Sequence, residues 1–273
     1  DEYLSSLCSQ LHDFSGIKET LPTKDFNGTL RHYQQDGVNW LSFLCEHNFH
    51  GLLADDMGLG KTVQVLAFLS QATHASKKLV IAPTSLLFHW KREIESFLPN
   101  FTVYIHAGPS REKDASLWSD NDIVLCSYAI LRSDIDILSG ITWDYLFLDE
   151  AQAIKNPNTL TSKAAYRLEA RFRCSITGTP VENSIQDLWS QFHFLMPDLL
   201  GAKKAFLSEP VSYFTTQKIR PFLLRRNKEE VAKDLPEKIE QTVLVEMTPH
   251  QRSTYETILS KMRSDIVEKV RAD

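Results

Sequence analysis

The chain has 273 residues, with 30 basic and 35 acidic side chains and a net charge of −5. Hydrophobic residues make up 42% and charged residues 24%, and 10 glycines and 11 prolines are too few for a collagenous or low-complexity chain. The longest apolar runs are strand-sized, well short of the roughly 18 residues that cross a bilayer, so a soluble α/β chain with no membrane partner is expected. The charge is uneven: residues 1–60 carry three Lys/Arg against nine Asp/Glu, whereas residues 201–238 carry nine against five. A net negative charge argues against nucleic acid, but the basic excess at 201–238, around Arg225, Arg226 and Lys228, supplies local cations. Cys8, Cys45, Cys126 and Cys174 lie far apart without a CxxC pair, which fits buried reduced thiols rather than a zinc ribbon or a disulfide scaffold. The opening Asp1-Glu2, without an initiator Met or a signal segment, leads us to expect a segment of a longer polypeptide.

In chain order, Leu4, Leu7, Cys8, Leu11 and Phe14 predict a short helix over 3–14, followed by a connector with Pro22. A second helix is predicted from about Leu30 to His47, with Tyr33, Val38, Leu41 and Leu44 inward. Short apolar runs then recur at Leu52–Ala54, Leu79–Ala82, Val103–Ile105, Ile123–Cys126, Tyr145–Leu148 and Cys174–Ile176. They alternate with helix-period stretches such as Val63–His74 and Leu87, Trp90, Ile94, Phe97 and Leu98, a rhythm of βαβ units around a buried parallel sheet. Trp90 and Trp189 sit among apolar neighbours and read as core. After Pro197 the pattern becomes irregular and basic, and a last strand, Thr242–Val245, leads through Pro249 into a helix bearing Tyr255, Ile258 and Met262.

Between the first strand and the Val63–His74 helix lies Asp55-Asp56-Met57-Gly58-Leu59-Gly60-Lys61-Thr62. Glycines in such a turn let backbone N–H groups converge on an anion at a helix N-terminus. Lys61 then adds a cation for the β- and γ-phosphates of a nucleotide, and Thr62 a hydroxyl for Mg²⁺. The usual pattern has Gly where this chain has Asp55, and nothing in the sequence offsets two acids beside a phosphate. A second motif, Asp149-Glu150-Ala151-Gln152, follows the Tyr145–Leu148 strand, at the sheet end where ligands gather. Adjacent acids there suit two tasks: Asp149 holds Mg²⁺, directly or through water, and Glu150 orients and deprotonates the attacking water. Together the motifs indicate nucleoside triphosphate hydrolysis.

The segments Leu30–Leu41, Ala54–Thr62, Ala82–Trp90, Asp149–Gln152 and Thr177-Gly178-Thr179-Pro180-Val181-Glu182-Asn183 resemble, in order, the first lobe of SWI/SNF-type ATPases of helicase superfamily two. The similarity continues through Leu188-Trp189, Phe222–Val231 and Leu235–Lys238, and Asp56 and the Asp13-Phe14 segment are more similar to bacterial members. The resemblance implies a three-layer, P-loop (RecA-like) fold with a mostly parallel sheet and helices on both faces. It divides the chain into an N-terminal helix and connector (1–28), the ATP-binding lobe (29–200), a basic irregular or helical extension (201–238), and a strand and helix (239–273) leading towards a second lobe not found in this chain. ATP and Mg²⁺ are the implied cofactors. Gln34 reads the adenine edge, Arg31 braces that pocket, and Asp55, Asp56, Met57, Gly58, Leu59, Gly60, Lys61 and Thr62 surround the phosphates. Thr84, Ser85, Ser127 and Tyr128 contact a DNA backbone, with Ser85 also suited to capping the following helix. Gln152, Thr177, Gly178 and Thr179 link hydrolysis to lobe movement, with Gln152 standing where relatives usually carry His.

The function implied is ATP-driven tracking along double-stranded DNA to remodel or strip DNA-bound proteins. Hydrolysis by this lobe alone is expected to be very slow, because arginine fingers from a second lobe are worth on the order of 10³ to 10⁵ in rate. An RNA helicase lobe is the alternative within the same class, although such lobes carry DEAD and Ser-Ala-Thr where this chain has DEAQ and TGTP. A nucleotide-responsive nucleic-acid-binding module without turnover is the alternative outside it. The expected location is the bacterial cytoplasm, with the nucleoid, or the nucleus for a eukaryotic source.

Overall fold

Consecutive apolar residues in runs too short for a helix are buried on both sides when they pair into a sheet covered by helices. The computed structural model describes residues 17–114, 118, 120–178, 185–208, 217–231 and 245–272. In it, β1 (Gly51–Leu53), β2 (Lys78–Ala82), β3 (Val103–His106), β4 (Ile123–Ser127), β5 (Thr142–Asp149), β6 (Glu169–Ile176) and β7 (Leu223–Leu224) form one sheet. Every pairing is parallel, in the order β3-β4-β2-β5-β6-β1-β7. The helices are α1 (His32–Glu46), α2 (Lys61–Leu69), α3 (Leu87–Phe97), α4 (Tyr128–Ser133), α5 (Ile135–Leu138), α6 (Leu160–Tyr166), α7 (Ile185–Leu195), α8 (Lys203–Ser208), α9 (Lys228–Val231) and α10 (Pro249–Ala272).

The order explains the layers. From β1 through β2 to β3 the chain moves one way across the sheet, and from β4 through β5 to β6 it moves back. Right-handed crossovers therefore put α2 and α3 on one face and α4, α5 and α6 on the other. The packing agrees, since α2 lies against α1 and α3, while α4 lies against α6 and α6 against α7. This is the three-layer RecA-like architecture. Phe68 of α2 packs on Tyr145, Phe147 and Phe172, with ring centroids 5.7, 6.4 and 5.3 Å away. Because strand side chains alternate, Asp149 points to the same face as Tyr145 and Phe147, towards α2 and α3.

Register then sets where function can gather. Ile81 of β2 lies opposite both Cys126 of β4 and Leu148 of β5, and Ile176 of β6 lies opposite both Asp149 and Leu53. The segments after β1, β2, β4, β5 and β6 therefore leave the sheet at one edge.

Several boundaries differ from the sequence reading. β5 and β6 begin earlier than expected, because the residues that precede their apolar runs still pair as Thr142↔Glu169 and Trp143↔Ala170. α2 ends at Leu69 rather than His74, where the Ser70 hydroxyl donates to the Ala67 carbonyl at 2.7 Å and the Ser70 carbonyl accepts from Thr23 at 3.0 Å. The stretch after Pro197, expected to be irregular, contains β7, which adds to β1 through Leu52↔Leu223 and Leu53↔Leu224. The preceding turn docks on α1, with the Trp40 indole donating to the Pro221 carbonyl at 3.1 Å. The predicted 3–14 helix and residues 242–244 of the last predicted strand lie outside the described residues.

Cys126 and Cys174 are buried, Cys45 is half-buried, and all three are unbridged, with burial raising each thiol pKa. The fold divides into two units, Asp1–Lys233, which holds the sheet, and Asp234–Asp273, whose described part is α10 and its lead-in. Among the described residues no helix is long and apolar enough to cross a membrane. Phe172 has no exposed surface, so Phe172→Ala is expected to lower unfolding stability by about 3–5 kcal/mol in urea titrations.

Candidate functional site

The loop after β1 owes its shape to its glycines. Gly58 and Gly60 take positive φ angles of 84° and 74°, which disfavour any residue with a Cβ. A Cβ at Gly60 would also come within 2.5 Å of the Gln34 side-chain nitrogen. Lys61 opens α2 and turns its ammonium into the loop, donating to the carbonyls of Asp55 at 2.7 Å and Asp56 at 3.2 Å. Burial lowers its pKa, and Asp55, Glu150, Asp149 and Asp56 oppose that shift. Thr62 follows in the first turn of α2. Met57 is 68% exposed, and a Cβ at Gly178 would lie 2.8 Å from its Cγ, so Gly178 borders the same loop.

The structure accounts for Asp55. Its carboxylate has no exposed surface, and Oδ1 accepts from the Arg226 backbone N–H at 3.1 Å and from Arg226 Nε at 2.9 Å. Oδ2 accepts from Arg226 Nη2 and from Gln64 Nε2, the latter at 3.1 Å. Arg226 Nη2 also donates to Gln64 Oε1 at 2.8 Å, and Nη1 donates to the Tyr33 carbonyl. The guanidinium lies 5.5 Å from the Tyr33 ring centroid, close enough for a cation–π contact. One arginine thereby joins α1, the glycine loop, α2 and the segment after β7. Gly37 makes room for this cluster, since a Cβ there would sit 1.9 Å from Gln64 Oε1. Asp56 is engaged too: its N–H donates to the Arg226 carbonyl at 3.0 Å and its carboxylate accepts from the Lys228 N–H at 3.1 Å. Arg226 is thus no free cation for nucleic acid, contrary to what the basic run suggested.

Asp149 and Glu150 follow β5 at the same edge. Asp149 is 9% exposed, with Oδ2 accepting from the Trp90 indole at 2.7 Å and Oδ1 from the Glu150 N–H at 2.9 Å. Burial raises its pKa, and the Trp90 bond opposes that. Glu150 has φ 48°, a left-handed conformation rare outside glycine, which turns its side chain out of the strand. Its Oε2 accepts from the Gln152 amide at 2.8 Å, and Gln152 Oε1 accepts from the Thr177 hydroxyl at 3.0 Å. The amide that replaces the usual His thus bridges β5 and β6, because it donates and accepts at once.

The other predicted residues fall as follows. Arg31 is exposed at the N-cap of α1, and Gln34 reaches back, its Oε1 accepting from the Arg31 N–H at 2.9 Å and its Nε2 donating to the Leu59 carbonyl at 3.2 Å. Thr84 and Ser85 are exposed in a 3₁₀ turn, Thr84–Leu86; Ser85 caps no helix, since α3 is entered through Leu86. Ser127 is buried and caps α4 by accepting from the Ile130 N–H at 3.3 Å, and the Tyr128 hydroxyl donates to the Asp149 carbonyl at 2.8 Å. Burial, then Asp149 and Glu150, hold the Tyr128 phenol well above its usual pKa. Thr179 lies outside the described residues. Arg226, Gln64 and the Trp90 indole were missed by sequence reasoning. The signal for Arg226 was Asp55 itself, because an acid at a glycine position inside a fold demands a nearby cation. Among the described residues no group of three or more His, Cys, Asp and Glu could hold a metal. A cation at Thr62 and Asp149 would therefore draw its remaining ligands from nucleotide or water, as Mg²⁺ does.

Residues 33–272 match the model of the family described as the SNF2-related domain. The chain belongs to this family. It is 40% identical to the putative ATP-dependent helicase/translocase YwqA of Bacillus subtilis, over 94% of this chain and 30% of that protein. It is 36% identical to the TATA-binding protein-associated factor MOT1 of Saccharomyces cerevisiae, over 88% of this chain and 15% of that protein. Among solved structures, the Sulfolobus solfataricus SWI2/SNF2 ATPase core in complex with dsDNA superposes with a TM-score of 0.72 at 36% identity, covering 92% of this chain and 56% of that one. This SNF2-related chain therefore spans less than a third of the length of these curated relatives.

In this SNF2-related fold, Arg226→Met leaves Asp55 a buried, uncompensated carboxylate. The expected loss is about 3–5 kcal/mol in urea unfolding, with much of it regained when Asp55→Asn is added.

Proposed function

We propose that this chain is the ATP-binding N-terminal motor lobe of a double-stranded-DNA translocase that remodels or strips DNA-bound proteins. The observation that carries this reading is one sheet edge that unites the Lys61 loop with the Asp149-Glu150 pair, close enough for both acids to act on the Lys61 charge. The converging N–H groups of the loop and the Lys61 ammonium bind the phosphates. Arg31 and Gln34 lie where the adenine meets the start of α1. Thr62 and Asp149 would hold Mg²⁺, which when bound neutralises charge on the phosphate oxygens. A carboxylate pushed by burial towards its neutral form fits a site that receives a cation.

Glu150 takes a proton from the attacking water, and Gln152 fixes its aim. Thr177 shares that amide and lies on the segment after β6, so Gln152, Thr177, Gly178 and Thr179 pass a change at Glu150 to a second lobe. Duplex DNA lies across the exposed Thr84 and Ser85 turn and the neighbouring start of α4, held through its phosphates without base reading. Ser127 is buried as the cap of α4 and the Tyr128 hydroxyl is bonded to Asp149, so neither side chain of that expected pair is offered to the DNA. The likeness to an archaeal core solved with dsDNA supports duplex over RNA. Alone, the lobe turns over slowly, because the arginine fingers that accelerate phosphoryl transfer come from its partner lobe.

ATPase assays on the intact polypeptide that carries this chain test the reading: duplex DNA is expected to raise the rate, and stimulation by single-stranded RNA alone would refute it. Lys61→Ala is expected to abolish nucleotide binding. Glu150→Gln is expected to keep nucleotide binding while the rate falls by roughly 10²- to 10⁴-fold; a chain that binds nucleotide without any turnover would contradict the motor.

A further inference from the structure

Asp149 is held from two sides, by the two elements that lead to the nucleic-acid surface proposed above. The Thr84–Leu86 turn runs straight into α3. Within one turn of that helix Phe88 is 68% exposed, whereas Trp90 has no exposed surface and donates its indole N–H to Asp149 Oδ2 at 2.7 Å. On the other side Ser127 caps α4, and its neighbour Tyr128 donates its hydroxyl to the Asp149 carbonyl at 2.8 Å. The peptide that joins Asp149 to Glu150 is thus bonded through its oxygen to Tyr128 and through its N–H to Asp149 Oδ1 at 2.9 Å. Glu150, with φ 48°, takes its direction from that peptide.

We infer that Trp90 and Tyr128 are positioning residues that couple occupancy of the surface formed by the Thr84–Ser85 turn and the start of α4 to the aim of Asp149 and Glu150. The inference rests on the reading of that surface as facing a nucleic-acid backbone. β2 and β4 are adjacent and in register through Ala82↔Ser127, so a phosphate run lying across their ends engages both elements together. A shift of α3 carries the indole, and with it the carboxylate. A shift of α4 carries the phenol, and with it the peptide that orients Glu150. Each route is a single hydrogen bond from a helix, so a displacement of that helix reaches the hydrolysis site without passing through the glycine loop.

The test compares Tyr128→Phe and Trp90→Phe with the wild type in the intact polypeptide. Duplex stimulation of kcat is expected to fall on the order of tenfold in each variant, with the KM for ATP held within about twofold. A second readout needs no turnover. Duplex affinity is measured by fluorescence anisotropy with and without Mg²⁺ and a non-hydrolysable ATP analogue, and the factor between the two is expected to approach one in the variants. Proportional loss of DNA-free and stimulated rates, or a wild-type coupling factor, overturns the inference. If Trp90→Phe fails to melt like the wild type, Tyr128→Phe decides alone, since it deletes only a hydroxyl. A wild type that duplex DNA does not stimulate defeats the functional reading and this inference with it. A stimulated wild type whose variants are stimulated equally defeats the inference alone.

Discussion

A carboxylate out of reach of water is costly unless a cation and hydrogen bonds surround it, and Asp55 has both from Arg226. The pair sets more than one acid's environment. The glycine loop begins at Asp55, while Arg226 follows the two-residue strand β7, 171 positions later. Their bond clamps the loop between the sheet edge and the segment after β7, where the Ala54 and Asp56 N–H groups also donate to the Leu224 and Arg226 carbonyls at 2.7 and 3.0 Å. Through Tyr33 and Gln64 the same guanidinium reaches α1 and α2, the two helices that flank the loop. Two acids at the mouth of a phosphate loop look like a liability. Here one is neutralised inside the fold, the carboxylate of the other accepts from the Lys228 N–H, and the Lys61 ammonium is held by the carbonyls of both.

At the far side of the edge the same economy recurs with hydrogen bonds in place of charge. Asp149 draws one bond from Trp90 and one from the Glu150 N–H, and Glu150 draws one from Gln152, which is itself held by Thr177. The two acids share an edge but have different partners, Trp90 of α3 for the side chain of the first and Gln152, held in turn by Thr177 just after β6, for that of the second. That division suits the two roles proposed for the pair, a cation at Asp149 and a water at Glu150.

The elements that depend on local pattern were legible in the sequence. The alternation of strand-sized apolar runs with helical stretches set out the sheet's main strands, and the Gly58-Leu59-Gly60-Lys61 and Asp149-Glu150 motifs fall together at one edge of it. β7 was not legible, because two paired residues make no periodicity and Leu223-Leu224 form a strand only through β1. Arg226 could be read only as part of a basic run, since nothing local says that its partner lies at Asp55. Trp90 was read as core, which its burial matches, but burial says nothing about where an indole N–H points. In each case the missing information was a long-range partner, and in the cases of Arg226 and Trp90 that partner was an acid already singled out.

The most direct measurement is a double-mutant cycle on nucleotide affinity, with Asp55→Asn and Arg226→Met made singly and together and ATP binding measured by titration calorimetry. If the pair shapes the phosphate loop, the two single losses exceed what the double mutant loses by a coupling of about 1 kcal/mol or more. Independent, additive losses would contradict the central place given to this pair.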